Sequence, residues 1–170
     1  MAKQTPVGVS GTGHRRISTV GWMLRGAAAG AAGTTALNAV TYLDMAGRGR
    51  GTSSTPERTV EKLAEKTHLS IPGEGEKREN RLQGLGPLTG IGAGVGIGVL
   101  VGLVRAAGFR SRPLVGTALT TAGVLVATNG PMTVLGITDP RTWSRTDWIS
   151  DVVPHVAYAA VVKTTMDAFD

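Results

Sequence analysis

The chain has no cysteine, which excludes disulfides and thiolate-ligated metal sites. It is also poor in aromatic residues, with three tryptophans, two tyrosines and two phenylalanines among 170 residues, whereas glycine occurs 25 times. A soluble core of this size normally depends on large side chains, but the apolar residues here are mostly alanine, valine, glycine and leucine. This composition favours a single domain of helices that pack through small residues.

Charged residues are missing from two long stretches. No Asp, Glu, Lys, Arg or His occurs between Arg81 and Arg105, and a second uncharged block runs from Pro113 to Thr138. At about 1.5 Å per helical residue, each block is long enough to cross a hydrocarbon core of about 30 Å. Both blocks therefore predict membrane-spanning helices.

Two further blocks give weaker signals. The first contains small residues at helical spacing, including Gly26 and Gly30, between Trp22 and Tyr42, which suit the membrane–water interfaces. The last, from residue 149 to 169, contains several ionisable side chains, and a charge at the bilayer centre costs about 2.5–3.5 kcal/mol. Because most of these lie near the block's ends, only His155 would sit at depth.

These blocks together predict an all-α fold, an integral membrane bundle of four transmembrane helices with a short amphipathic helix in the loop between the first two. A basic N-terminal tail, residues 1–16, precedes a single membrane domain, residues 17–170. The expected spans are about 22–44, 85–105, 113–137 and 149–169, and the extramembrane loop covers 46–84. Within that loop, Ser54-Thr55-Pro56-Glu57 predicts a helix start, and Pro72 its end. Three spans plus an interfacial segment is the alternative.

Glycine recurs at every fourth position through the second predicted span, at Gly86, Gly90, Gly94, Gly98 and Gly102. Residues four apart share one helix face, so this stripe predicts close contact with another helix, as do Gly26 and Gly30 in the first span. A phosphate-binding role fits poorly. The spacing does not match a dinucleotide fingerprint, and no lysine follows for a P-loop.

The residues most able to carry chemistry are Asp151 and His155, four apart on one helix face, with Tyr158 three further on. A histidine at membrane depth beside a carboxylate predicts a proton-responsive polar site. Asn129 can add a hydrogen bond, and the run Asn129-Gly130-Pro131 predicts a kink or break in the third span. The alternative is that Asp151 flanks the helix start and His155 bonds a neighbouring helix.

The net charge of +6 raises the question of partners. Arginines next to apolar blocks suit a lipid bilayer with anionic headgroups, whereas the run GRGRG from Gly47 to Gly51 raises nucleic acid as a less favoured alternative. Metal and cofactor sites are not expected, because Asp151 and His155 are too few ligands. The orientation stays open, since the basic tail favours an internal N-terminus and the arginine count favours an internal loop.

The segment PMTVLGITDPRTWSRTDWISDVVPHVAY, residues 131–158, resembles the closing part of the YagU-type family of small bacterial inner-membrane proteins. The matching positions are Pro131, Gly136, Thr138, Pro140, Trp148, Ser150, Asp151 and His155. Pro154 and Tyr158 stand where that family tends to have glycine and tryptophan. The resemblance implies a multi-span protein of the bacterial cytoplasmic membrane, and it implies no biochemical activity.

The functional expectation is a non-enzymatic membrane protein, either a pore or transport component or a scaffold that assembles with itself or with partner membrane helices. A membrane-embedded enzyme is the alternative. A buried cavity containing two ionisable groups within bonding reach of each other would favour it.

Overall fold

The structure is a computed structural model that describes residues 17–170. These residues form five α-helices and one short 3-10 helix, and they contain no strand. The helices are α1 (Thr19–Arg48), α2 (Thr55–Lys66), α3 (Glu76–Ala106), α4 (Pro113–Val134) and α5 (Arg145–Asp167), with the 3-10 turn at Pro140–Thr142. The predicted all-α class is confirmed. The predicted basic tail, residues 1–16, lies outside the described residues.

The ends of α1 show how local sequence sets a helix. Ser18 is the N-cap, and its hydroxyl oxygen accepts a hydrogen bond of 3.1 Å from the backbone N–H of Gly21. Gly49 ends the helix with a φ of 62°, and its N–H donates to the carbonyl of Met45. Because glycine adopts this left-handed conformation without steric cost, the middle of the GRGRG run has a structural explanation as a helix cap.

Helix α5 begins with a reciprocal cap. The Asp147 N–H donates to the Ser144 hydroxyl oxygen at 3.2 Å, while the Asp147 carboxylate accepts from the Ser144 hydroxyl and N–H at 2.7 and 2.9 Å. These hydrogen bonds from the Ser144 side chain and backbone lower the pKa of Asp147 below its ordinary value. The cap places the start of α5 at Arg145, ahead of residue 149 where the apolar pattern begins.

Two sequence predictions need correction here. Helix α2 ends at Lys66, so Pro72 does not end it. Helix α4 continues through Pro131 to Val134, so the predicted break at Asn129-Gly130-Pro131 is wrong, whereas the alternative of a kink stays a prediction. Helix α3 begins at Glu76, before the predicted span, and α2 packs against it.

The long helices are arranged around α1, which packs against α3 on one side and α5 on the other. Helix α4 packs on α5 and touches α3 only marginally, although α3 and α4 are neighbours in sequence. The buried apolar core comes from α1, α4 and α5 and contains Trp22, Ala29, Val124, Tyr158, Ala159, Val162 and Met166.

Glycines form the contact between α1 and α3. A Cβ added to Gly98 would lie 2.6 Å from the Cα of Gly30, and one added to Gly30 would lie 2.5 Å from the carbonyl oxygen of Gly94. Gly26 and Gly102 meet the opposite backbone in the same way. The two backbones are therefore in direct contact over two helical turns of small residues.

Two glycines of the predicted stripe lie outside this contact. Gly86 faces α2, where an added Cβ would lie 2.9 Å from the Cβ of Pro56, and Gly90 has no atom within 4 Å of its added Cβ. The glycines at every fourth position thus contact two different helices, and one of these glycines, Gly90, contacts neither. The reason is that α1 crosses only the second half of α3.

Large aliphatic side chains lie on the outside of the bundle. Leu114 and Val134 are 86% and 89% exposed, and the same outward placement holds for Leu88, Ile91, Leu100, Leu119, Val126, Val153 and Val156. Of the described helices, only α3 is both long and apolar enough to cross a membrane. The other three predicted spans stay predictions.

Candidate functional site

Three of the four polar residues singled out in the sequence come together between α4 and α5. The side-chain amide of Asn129 donates to Asp151 Oδ2 at 2.8 Å, which joins the C-terminal half of α4 to the first turns of α5. His155 follows one turn after Asp151, with Nδ1 3.5 Å from Asp151 Oδ1. The His155 side chain is 13% exposed, so this polar cluster is largely enclosed by the two helices.

The geometry determines which ring nitrogen of His155 is already engaged. Nδ1 lies 2.7 Å from the backbone carbonyl oxygen of Asp151, which can only accept a hydrogen bond. With Nδ1 donating to that oxygen, Nε2 is the ring nitrogen left to contact a further group. The ring lies next to the Asp151 carboxylate, whose Oδ2 accepts a hydrogen bond from Asn129. The cluster therefore brings an imidazole, a carboxylate and an amide together between α4 and α5.

Tyr158 lies apart from this cluster. Its ring is 1% exposed, and its hydroxyl donates to the carbonyl oxygen of Gly94 in α3 at 2.6 Å. The ring also packs against Gly33 of α1, where no side chain would fit. Tyr158 therefore ties α5 to α1 and α3, and its placement with Asp151 and His155 from sequence spacing was wrong.

The opposite end of the bundle holds an ionic network that sequence reasoning missed. Arg105, only 7% exposed, pairs through Nη2 with Asp167 and with Asp170, at 2.5 Å in each case. Lys163, also buried, pairs with Asp167. The last turns of α3 and α5 are thus joined by ion pairs whose cations are buried, while the Asp167 and Asp170 side chains stay partly exposed.

Two further arginines flank an aromatic ring beside this network. The guanidinium carbons of Arg25 and Arg110 each lie 5.4 Å from the centre of the Trp22 ring, and Arg25 lies equally close to Phe169. Arg25 donates to the carbonyl oxygen of Phe169 at 3.0 Å, and Arg110 to that of Arg105 at 2.8 Å. The start of α1 and the segment after α3 are thereby fixed to the same end of the bundle.

One sequence signal pointed at this network. Lys163 and Asp167 stand four apart, the spacing of a helical ion pair, and this spacing alone could have predicted their contact. The pairing of Arg105 with Asp167 joins residues 62 apart in the chain, and it is revealed only by the arrangement of α3 and α5 around α1, which brings their last turns to the same end.

At the other end of the bundle, where α1 finishes, the two arginines of GRGRG form ion pairs with a residue of α1. Arg48 and Arg50 both pair with Asp44, at 2.5 and 2.8 Å, and Arg48 also donates to the Ser150 hydroxyl of α5 at 2.6 Å. Among the residues that the structure describes, no group of three His, Cys, Asp or Glu side chains is placed to hold a metal ion.

No family model, curated protein or solved structure matches the chain. The resemblance to the YagU-type family therefore stays a prediction that depends on the residues quoted above.

Proposed function

We propose that the chain is a non-enzymatic integral membrane protein of the bacterial cytoplasmic membrane, in which α1, α3, α4 and α5 are the spans. The observation that supports this proposal most strongly is the distribution of side-chain size. Glycines occupy the contact between α1 and α3, and many leucine, isoleucine and valine side chains lie on the outside of the bundle, although Val124, Val162 and a few larger residues fill the core. So much exposed aliphatic surface is unusual for a water-soluble helical protein.

The energetics favour lipid over water for such a surface. Exposed apolar area costs about 25 cal/mol per Å² in water, and each glycine in a helix costs about 0.8–1.0 kcal/mol relative to alanine. In a bilayer the aliphatic surface is solvated by acyl chains, and close backbone contact between α1 and α3 gains van der Waals energy. The same sequence is therefore unfavourable as a soluble bundle and favourable as a membrane bundle.

Within this membrane protein, Asn129, Asp151 and His155 support a role as a small pore or transport component that responds to protons. A scaffold that assembles with itself or with partner helices is the second form of the proposal, supported by the outward aliphatic surface of α4. Arg48 and Arg50 are already paired with Asp44, and this pairing favours a lipid environment over nucleic acid for the GRGRG segment.

The membrane proposal is tested with the full chain expressed in bacteria. We expect it in the membrane fraction after alkaline carbonate washing, soluble only with detergent, and floating with phosphatidylcholine vesicles after reconstitution. Reporter fusions at both termini and within residues 46–84 should place the termini on one side and the loop on the other. A chain that stays monodisperse in detergent-free buffer and does not float with vesicles would contradict the proposal.

A further inference from the structure

The charges of the protein are unevenly distributed between the two ends of the bundle. The end where α1 finishes and α3 and α5 begin carries ten basic and ten acidic side chains among the described residues. The basic ones are Arg48, Arg50, Arg58, Lys62, Lys66, Lys77, Arg78, Arg81, Arg141 and Arg145. The acidic ones are Asp44, Glu57, Glu61, Glu65, Glu74, Glu76, Glu79, Asp139, Asp147 and Asp151.

The opposite end, called here the arginine end, carries five cations and two acids. The cations are Arg25, Arg105, Arg110, Arg112 and Lys163, and the acids are Asp167 and Asp170. The whole net positive charge of the described residues is therefore at one end.

The guanidinium groups of the arginine end are hydrogen-bond donors that neighbouring residues hold in place. Arg105 uses Nη2 for both of its ion pairs, and its buried Nε has no hydrogen-bond partner among residues 17–170. The guanidinium carbons of Arg25 and Arg110 each lie 5.4 Å from the centre of the Trp22 ring, and Arg110 also pairs with Asp170 at 3.2 Å. Because two acids serve five cations at this end, the excess positive charge favours the binding of an anion.

We infer that the arginine end binds the phosphate of anionic phospholipid headgroups, with Arg25 and Arg110 as the contacting residues and Arg105 as the residue that positions them. Guanidinium groups bind phosphate oxygens with paired hydrogen bonds, and Trp22 is the type of side chain that lies at headgroup depth. Arg105 acts through Asp170, which it shares with Arg110: Arg105 Nη2 lies 2.5 Å from Asp170 Oδ2, and Arg110 Nη2 lies 3.2 Å from Asp170 Oδ1.

This inference rests on the proposed membrane location, and it adds a lipid class and a named surface to it. Each Lys or Arg near an anionic membrane surface is worth roughly fivefold in affinity. Loss of Arg25 and Arg110 together should therefore weaken binding of anionic lipid by roughly 25-fold. Binding of zwitterionic lipid should change little.

The test is native mass spectrometry of the full chain in detergent, titrated with phosphatidylglycerol or with phosphatidylcholine of the same acyl chains. The variants are Arg110→Gln, which changes an exposed side chain, and the double variant Arg25→Gln/Arg110→Gln. The matched control is Arg58→Gln/Arg145→Gln, which removes the same charge from the other end. Circular dichroism checks that each variant keeps its helix content.

The inference predicts preferential binding of phosphatidylglycerol, a loss in Arg110→Gln, a larger loss in the double variant, and retention in the control. Equal binding of both lipids, or equal losses in the two double variants, would overturn it. Displacement of phosphatidylglycerol by inorganic phosphate would show a site for free phosphate and would likewise overturn it. Reconstitution into phosphatidylcholine vesicles tests the membrane proposal separately from the lipid site. A chain that inserts into these vesicles but shows no preference for phosphatidylglycerol would retain the membrane proposal and overturn only the anionic-lipid site.

Discussion

At the scale of single residues, His155 is the histidine of the polar cluster between α4 and α5, next to the Asp151 carboxylate. Replacement by glutamine keeps a polar group of similar size but removes the imidazole ring. If the proposed proton-responsive role holds, we expect His155→Gln to lower proton flux in proteoliposomes, measured with an entrapped pH-sensitive dye. The lost hydrogen bond itself should cost only about 0.5–1.5 kcal/mol of stability.

The control for this prediction is His68→Gln, which changes a histidine in the segment after α2, far along the chain from the cluster. Asn129→Ala provides a second check, because it removes the amide that holds Asp151 Oδ2 and should also reduce flux while the His155 ring stays in place. Unchanged flux in His155→Gln would leave the cluster with a purely structural role.

At the scale of helices, the α1–α3 contact can be tested with one methyl group. Gly98→Ala would place a Cβ 2.6 Å from the Cα of Gly30, and backbone atoms on both sides prevent the helices from adapting. Overpacking of this kind costs about 1–3 kcal/mol, so the thermal midpoint of the detergent-solubilised chain should fall. Circular dichroism at increasing temperature measures it.

Gly96→Ala is the matched control for that contact, because the added Cβ of Gly96 has no atom within 4 Å. Alanine is the better helix former by about 0.8–1.0 kcal/mol in water, so this variant should be as stable as the original chain or more stable. Equal destabilisation by both substitutions would mean that α3 does not approach α1 through the face that contains Gly98.

The comparison of these two glycines shows what sequence alone could provide. Spacing of four correctly marks one face of α3, because helical geometry fixes which residues share a face. It does not say how far a neighbouring helix follows that face, and so it could not separate Gly90 from Gly94. The same limit applies to the cluster of Asp151 and His155. Sequence spacing grouped Tyr158 with these two residues, whereas the direction of the Tyr158 side chain depends on where α1 and α3 lie.

At the scale of the whole molecule, the order of the helices in space differs from their order in the chain. Helix α4 follows α3 after a short connection, yet it packs on α5, where Asn129 bonds Asp151 and Gly116 lies against Lys163. Hydrophobic patterning predicts each helix separately and contains no information on this order. The ionic network at the arginine end was missed for the same reason, since it depends on α3 and α5 ending together.

This order predicts a cross-linking pattern that the natural absence of cysteine makes simple to read. The variant Asn129→Cys/Asp151→Cys replaces two side chains in hydrogen-bond contact, so a short bifunctional thiol-reactive cross-linker should join them in detergent-solubilised monomers. The control is Leu88→Cys/Asn129→Cys, because Leu88 faces outward from α3 and α4 touches α3 only marginally. A proteolytic cut between α4 and α5 should leave the fragments of the first variant joined on a denaturing gel, whereas a cut between α3 and α4 should separate the fragments of the control. Efficient joining of Leu88 to Asn129 within one chain would instead place α4 beside α3, and the α4–α5 polar cluster would then have to be abandoned.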